Sequence, residues 1–346
     1  MNERPTLWWD ASTGTIRYIN QTLLPIDYAI VECRTIGRLV TAINRLEIRG
    51  APALGVAGAY GIALAAHVCQ KTDLHAFMAD VSRDAEALRA TRPTAINLGW
   101  GIDRVLAKIR HSPDVVSARM TAIAEAQAVA REDTACCHTI GVQGAALLPD
   151  TCTVLTHCNA GSLACSSWGT ALGVIRSAVI AGKQVKVIAC ETRPLLQGAR
   201  LTAWELAEDG IDVTVVTDST AAHLMRTSTI DAIVVGADRI TCDAVFNKIG
   251  TYMHAVCAHY HKIPFYVAAP LSTFDTEKME RDVIIEERGR EEVTTIGNRT
   301  FVPAGSAVKN FAFDATPLDL VTAIITDQGI LRPPLDIDSI LSMKST

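Results

Sequence analysis

The stretch TVLTHCNAGSLACSSWGTALGVIRSAVIAGKQVKVIAC, residues 153–190, decides the fold. It opens on a short β-branched run, Thr153–Thr156, and closes on a second one, Val185–Cys190. Between them, Gly169–Ala181 carries apolar residues at three- and four-residue steps, the period of a helix. Strand, helix and strand in that order make a βαβ unit, and such units build parallel sheets. The alternation continues downstream with strands expected at Val213–Thr217, Ile230–Val235 and Pro264–Ala268, and a helix at Gly198–Asp209. The fold class expected is therefore α/β, with a Rossmann-like, doubly wound parallel sheet.

Upstream the texture differs. Trp8 and Trp9 lead into a turn at Asp10–Gly14, and Thr15–Ile19 alternates, which predicts a short antiparallel start. From Ile36 to Arg131 the pattern is helical, interrupted by polar loops at Arg49-Gly50-Ala51-Pro52 and Arg92-Pro93-Thr94. The expectation is a mainly helical N-terminal domain over residues 1–130 and a catalytic α/β domain over 131–346. No Gly/Ser-rich linker marks the boundary.

Composition narrows the function. The 346 residues are 49% hydrophobic and 20% charged, which is a globular composition. The net charge is −5 and no block of Lys or Arg occurs, so nucleic acid is not the expected partner. No uninterrupted apolar run reaches the ~18 residues that span a bilayer, and the N-terminus lacks a signal-peptide pattern, so the expected location is cytoplasmic. None of the ten Cys forms a CxxC pair; in a reducing compartment most such residues are small buried hydrophobes.

Ligands of open parallel sheets bind beyond the carboxyl ends of the strands. The residues just after each expected strand are thus informative. His157-Cys158-Asn159 comes after the first, Glu191-Thr192-Arg193 after the second, Asp218-Ser219-Thr220 after the third and Gly236-Ala237-Asp238 after the fourth. Cys158 sits in a small-residue loop read as opening a helix, whose unpaired N–H groups would favour a thiolate. Asp238 comes after the apolar Ile233–Ala237, a dry approach that would suit a proton-transferring acid. Each also has a plain reading, a packed thiol under a turn and a carboxylate that caps a helix or pairs Arg239. Arg49, Arg92 and Lys248 stand beside Gly or Pro, and such cations suit a phosphate dianion, although most Lys and Arg are simply exposed.

Three other signals carry no site. Gly55, Gly58 and Gly61 lie inside a helical run and read as close helix packing rather than a nucleotide-binding turn. His254, His259 and His261 share one expected helix without metal-site spacing, so no metal is expected. Glu286–Glu292 is a charge run that a solvated loop explains.

Taken together the segments resemble the methylthioribose-1-phosphate isomerase family of methionine salvage. The resemblance rests on Arg49-Gly-Ala-Pro-Ala-Leu-Gly55, Arg92-Pro-Thr-Ala-Ile-Asn-Leu98, Cys158-Asn-Ala-Gly161 with Gly169-Thr-Ala-Leu-Gly173, Glu191–Leu201, Gly236-Ala-Asp-Arg239 and Asn247-Lys-Ile-Gly-Thr-Tyr252. It implies Cys158 and Asp238 as the catalytic pair. It implies substrate contacts from Arg49, Gly50, Ala51, Arg92, Gln197, Asn247 and Lys248, a sugar-phosphate substrate and a homodimer. The isomerisation itself needs neither metal nor nicotinamide, so no cofactor is expected. The wider superfamily also holds ribose-1,5-bisphosphate isomerases and non-catalytic regulatory subunits of a translation-initiation exchange factor. One loop departs from the family pattern. Ile240-Thr-Cys-Asp-Ala-Val-Phe246 is one residue shorter than expected, which leaves a 5-deoxyribose or other pentose 1-phosphate open as substrate.

Overall fold

The computed structural model describes residues 3–93 and 95–344; Thr94 of the second polar loop lies outside the described residues. Two compact units result, one of residues 1–138 with Gly161–Gly169, the other of 139–160 with 170–346.

The first unit opens on an antiparallel meander of β1 (Leu7–Asp10), β2 (Thr15–Ile19) and β3 (Ile30–Cys33). Helices α1 (Ile36–Asn44), α2 (Ala51–Val68), α3 (Leu74–Arg89) and α4 (Ile96–Ile109) come next, then the start of the 31-residue α5 (Val115–Ala145). Thr35 and Asp73 cap α1 and α3 by accepting the backbone N–H of Arg38 and Ala76.

The interior of this unit is α2. By length and composition it could cross a membrane, but 78% of it is buried among Leu39, Phe77, Leu88, Leu98 and Ile102. The expectation that no apolar run is long enough to span is corrected on that point. A helix surrounded on all sides by its own protein reads as uniformly apolar. The glycines of α2 are packing residues, as expected: a Cβ on Gly58 would lie 2.6 Å from the carbonyl oxygen of Leu98 on α4.

The second unit carries the sheet. In order come β4 (Thr151–Thr156), α6 (Ala171–Ile180), β5 (Gln184–Cys190), α7 (Ala203–Glu208), β6 (Val213–Val216), α8 (Thr220–Arg226) and β7 (Ala232–Val235). Next are β8 (Arg239–Ile240), β9 (Ala244–Lys248), α9 (Thr251–His261) and β10 (Phe265–Ala268). The chain ends with α10 (Glu291–Thr294), β11 (Thr295–Ile296), β12 (Arg299–Thr300), β13 (Phe313–Pro317), β14 (Ala323–Thr326), β15 (Gly329–Leu331) and α11 (Ile337–Lys344).

The central sheet has the order β15-β14-β10-β7-β4-β5-β6 and is parallel except for the antiparallel edge strand β15. This is the α/β architecture that the alternation predicts, and its five expected strands are all present. The first strand, β4, lies inside the sheet. From it the chain winds outward through β5 and β6, then returns to the other side of β4 for β7, β10 and β14. The direction of winding reverses between β4 and β7, which makes that gap the topological switch point.

Candidate functional site

At the switch point β4 and β7 pair in parallel, with Val154 opposite Ala232 and Leu155 opposite Ile233. Cys158 and Asp238 come just after the ends of these two neighbouring strands, and both are half-buried. The two loops touch: a Cβ on Gly236 would come 2.7 Å from that of Ala160, so a side chain at 236 would push the Cys158 loop aside. The strands that lead to them are apolar and buried. Leu155, Ile233, Val234 and Val235 are fully buried, and Phe246 is nearly so.

Cys158 is held in an uncommon conformation, with φ of +64°. Its amide donates to the hydroxyl of Thr192 at 2.8 Å, and its carbonyl accepts from Thr202 at 2.6 Å. Thr192 also has positive φ, and its own amide donates to Asp218 at 2.7 Å. The loops after β4, β5 and β6 are thereby laced together. Asn159, next in line, donates to Glu205 at 2.9 Å and to Thr202 at 3.2 Å. Backbone strain of this kind persists only where the surroundings over-determine it, and it clusters at functional sites.

No α-helix begins at Cys158, contrary to the expectation. A single 3-10 turn, Ser162–Ala164, comes first, and α6 starts only at Ala171. The residues in between, Gly161–Gly169, belong to the first unit. The helix-start argument for a thiolate therefore does not apply. Asp238 caps no helix, because a strand, β8, comes after it; Arg239 pairs with Asp275 at 3.3 Å.

Lys248 ends β9, 7% exposed. Burial pushes its pKa down, while the charges of Cys158 and Asp238 oppose that shift. The ammonium thus shares a neighbourhood with both groups. It donates to the carbonyl of Ala312 at 2.8 Å and lies 4.7 Å from the Phe313 ring centroid. Asn247 lies on the opposite side of the strand, its amide donating to Thr251 at 3.0 Å. Gln197 is buried, and its amide oxygen has no hydrogen-bond partner among the described residues. A buried acceptor left orphaned is costly unless a ligand supplies the donor. Gln197 immediately precedes a π-helical turn, Gly198–Thr202, a feature frequent at functional sites.

The structure thus brings together Cys158, Asp238 and Lys248, and places Gln197 and Asn247 in the same unit. Arg49, Gly50 and Ala51 belong to the first unit, at the N-terminus of α2, where Arg49 donates to Gln21 at 2.9 Å. Arg92, also of that unit, is half-buried in the turn ahead of α4. Sequence reading missed Thr192, Thr202, Glu205 and Asp218 as supports. Only Thr192 and Asp218 carried a signal, their place just after strands.

Among the described residues, two groups of side chains have metal-ligand chemistry, His157 with Cys190 and His254, and Asp133 with Cys137 and Cys165. Neither includes a residue of the expected site.

Residues 47–333 match the model of the initiation factor 2 subunit family. A methylthioribose-1-phosphate isomerase of Heliobacterium modesticaldum is 51% identical over 321 residues, 91% of this chain and 93% of that one. Among solved structures, 5-methylthioribose 1-phosphate isomerase of Pyrococcus horikoshii OT3 superposes with a TM-score of 0.92 at 39% identity, covering 98% of this chain and 96% of that chain. A structure described as translation initiation factor eIF-2B, subunit delta, of A. fulgidus superposes with a TM-score of 0.89 at 49% identity, over 98% and 99%. With matches of this extent to its sequence and its fold, the chain belongs to the initiation factor 2 subunit family, together with proteins named methylthioribose-1-phosphate isomerase.

Proposed function

We propose that this protein is an aldose–ketose isomerase that converts 5-methylthioribose 1-phosphate to 5-methylthioribulose 1-phosphate, a step of methionine salvage. The observation that carries the reading is the place of Cys158 and Asp238 just beyond the ends of adjacent parallel strands, with the buried ammonium of Lys248 close enough to feel both charges. The test is turnover of the purified protein on 5-methylthioribose 1-phosphate, beside 5-deoxyribose 1-phosphate and ribose 1,5-bisphosphate. The description of the A. fulgidus relative as a translation factor favours a second reading, a non-catalytic regulatory protein. Absence of turnover on all three sugars would favour it.

The 1-phosphate blocks the anomeric oxygen, so the ring cannot open to a free aldehyde. In our reading Asp238 protonates the ring oxygen, hydrogen leaves C2 for C1, and the C2 hydroxyl returns a proton to Asp238 as it becomes the ketone. The apolar stretches that lead to Cys158 and Asp238 would exclude water, which supports direct hydride transfer, with Cys158 stabilising the developing charge. Run in heavy water, the reaction should then place almost no deuterium on carbon 1 of the product, read by NMR. Substantial incorporation would instead make Cys158 a base that forms an enediol.

Arg92 and Lys248 are assigned to the phosphate, with Arg49, Gly50, Ala51, Gln197 and Asn247 as further substrate contacts. Arg92→Ala should raise KM about 10- to 100-fold, the scale of a charged hydrogen bond. Equal thermal protection of wild type and variant by inorganic phosphate would rule the assignment out. A homodimer and a cytoplasmic location belong to the same reading. The exposed stripe Tyr252, Val256 and Tyr260 on α9 is apolar surface of the kind a second copy covers.

A further inference from the structure

Behind Cys158 lies a pair of buried imidazoles that the chemistry above does not use. His157 is 1% exposed and so is His254, from α9. The Nε2 of His157 is 2.8 Å from the carbonyl oxygen of Ile249, and its Nδ1 is 3.2 Å from Nε2 of His254. A carbonyl only accepts, so His157 carries its proton on Nε2 and offers a lone pair at Nδ1. His254 must then carry a proton on Nε2 and donate it. Burial lowers the pKa of His157 to about 4 and that of His254 to about 3, so both rings are neutral at pH 7. The order of donation, from His254 to His157 to Ile249, is therefore fixed.

Its ends matter. His157 is the residue before Cys158, and Ile249 is the residue after Lys248. The bond from His157 to Ile249 thus ties the β4 loop directly to the end of β9. Cys158 is tied on its other side to Thr192 and Thr202. We propose that His157, oriented by His254, is a positioning residue that sets Lys248 against Cys158 and Asp238. This rests on the assignment of those three residues to the active site. The rival is a metal: the two rings and the Cys190 thiol bring their ligand atoms within 4.8 Å of one another, a soft N2S set. The hydrogen-bonded pair already satisfies both facing nitrogens, which favours positioning.

The experiment compares His157→Phe with His157→Gln, and His254→Leu with His254→Gln. A Gln amide nitrogen takes the place of Nε2, so each Gln variant keeps the donor that matters and each apolar variant loses it. The expected result is a ~30- to 100-fold loss of kcat for His157→Phe, with KM changed less than ~3-fold, and recovery to within ~10-fold of wild type in His157→Gln. The His254 variants should show the same order with smaller losses. Iodoacetamide labelling of Cys158, read by peptide mass spectrometry, should show a changed rate in the apolar variants and a near-native one in the Gln variants. Because labelling needs no substrate, an inactive wild type would count against the proposed reaction and leave this reading to the labelling result. Should His157→Phe fail to fold, the His254 pair decides alone. Native kcat and labelling in the folded apolar variants would overturn the proposal, and so would stoichiometric zinc or copper in the purified protein.

Discussion

Cys158→Ala and Asp238→Asn will each lower kcat by at least ~100-fold, the scale on which a positioned acid or base acts, while the protein stays folded. Both side chains are half-buried and stand at strand ends rather than in the core. Neither substitution opens a large cavity, and Asn keeps the shape of Asp. The melting temperature should therefore move by only a few degrees. Cys158→Ser guards against an effect of shape, since it replaces the sulfur and little else. If the proposed roles hold, Ser at 158 will be nearly as impaired as Ala, because a hydroxyl lacks the polarisable sulfur. The measurements are kcat and KM for the sugar phosphate, with circular dichroism of each variant. A folded variant that turns over within ~3-fold of wild type would remove that residue from the chemistry.

How much of this is legible in the sequence depends on range. Alternating β-branched and helical runs are local patterns, and they locate the five central strands to within a few residues. Strand order is not local. That β7 returns to lie beside β4 depends on pairings such as Leu155 with Ile233, far apart in the chain. The nearness of Cys158 and Asp238 therefore enters through the resemblance alone. The supporting shell is illegible for the same reason: Thr192 and Thr202 reach Cys158 across 34 and 44 residues. The helix expected to open at Cys158 fails because Gly161–Gly169 leaves the second unit to pack in the first. The strands β14 and β15 go unexpected although β14 is no shorter and no more buried than β7 and β10, which are located; β15 is only three residues long.

The largest effect on stability is expected from Arg176→Met. Arg176 on α6 donates to Glu205 at 2.8 Å and to Asp209 at 2.7 Å, and all three side chains are at most 5% exposed. A mid-helix Arg in an apolar run reads as a surface cation; here it is the centre of a buried ionic triad. Removing it leaves two carboxylates in a low-dielectric place without their counter-ion, which typically costs ~3–5 kcal/mol. That is a large part of the ~5–15 kcal/mol by which domains are stable. The melting temperature should fall by on the order of 10 °C. Activity should fall as well, because Glu205 also holds Asn159 beside Cys158. The triple change Arg176→Met, Glu205→Met, Asp209→Leu separates the two roles. An apolar replacement of a whole buried ion set is often neutral or stabilising, so the triple variant should regain much of the lost stability. It should not regain kcat, since Glu205, which accepts from Asn159, is then gone. If Arg176→Met costs less than ~1 kcal/mol in urea unfolding, the triad does not support the site as argued. If the triple variant recovers kcat along with stability, Glu205 does not orient the Cys158 loop.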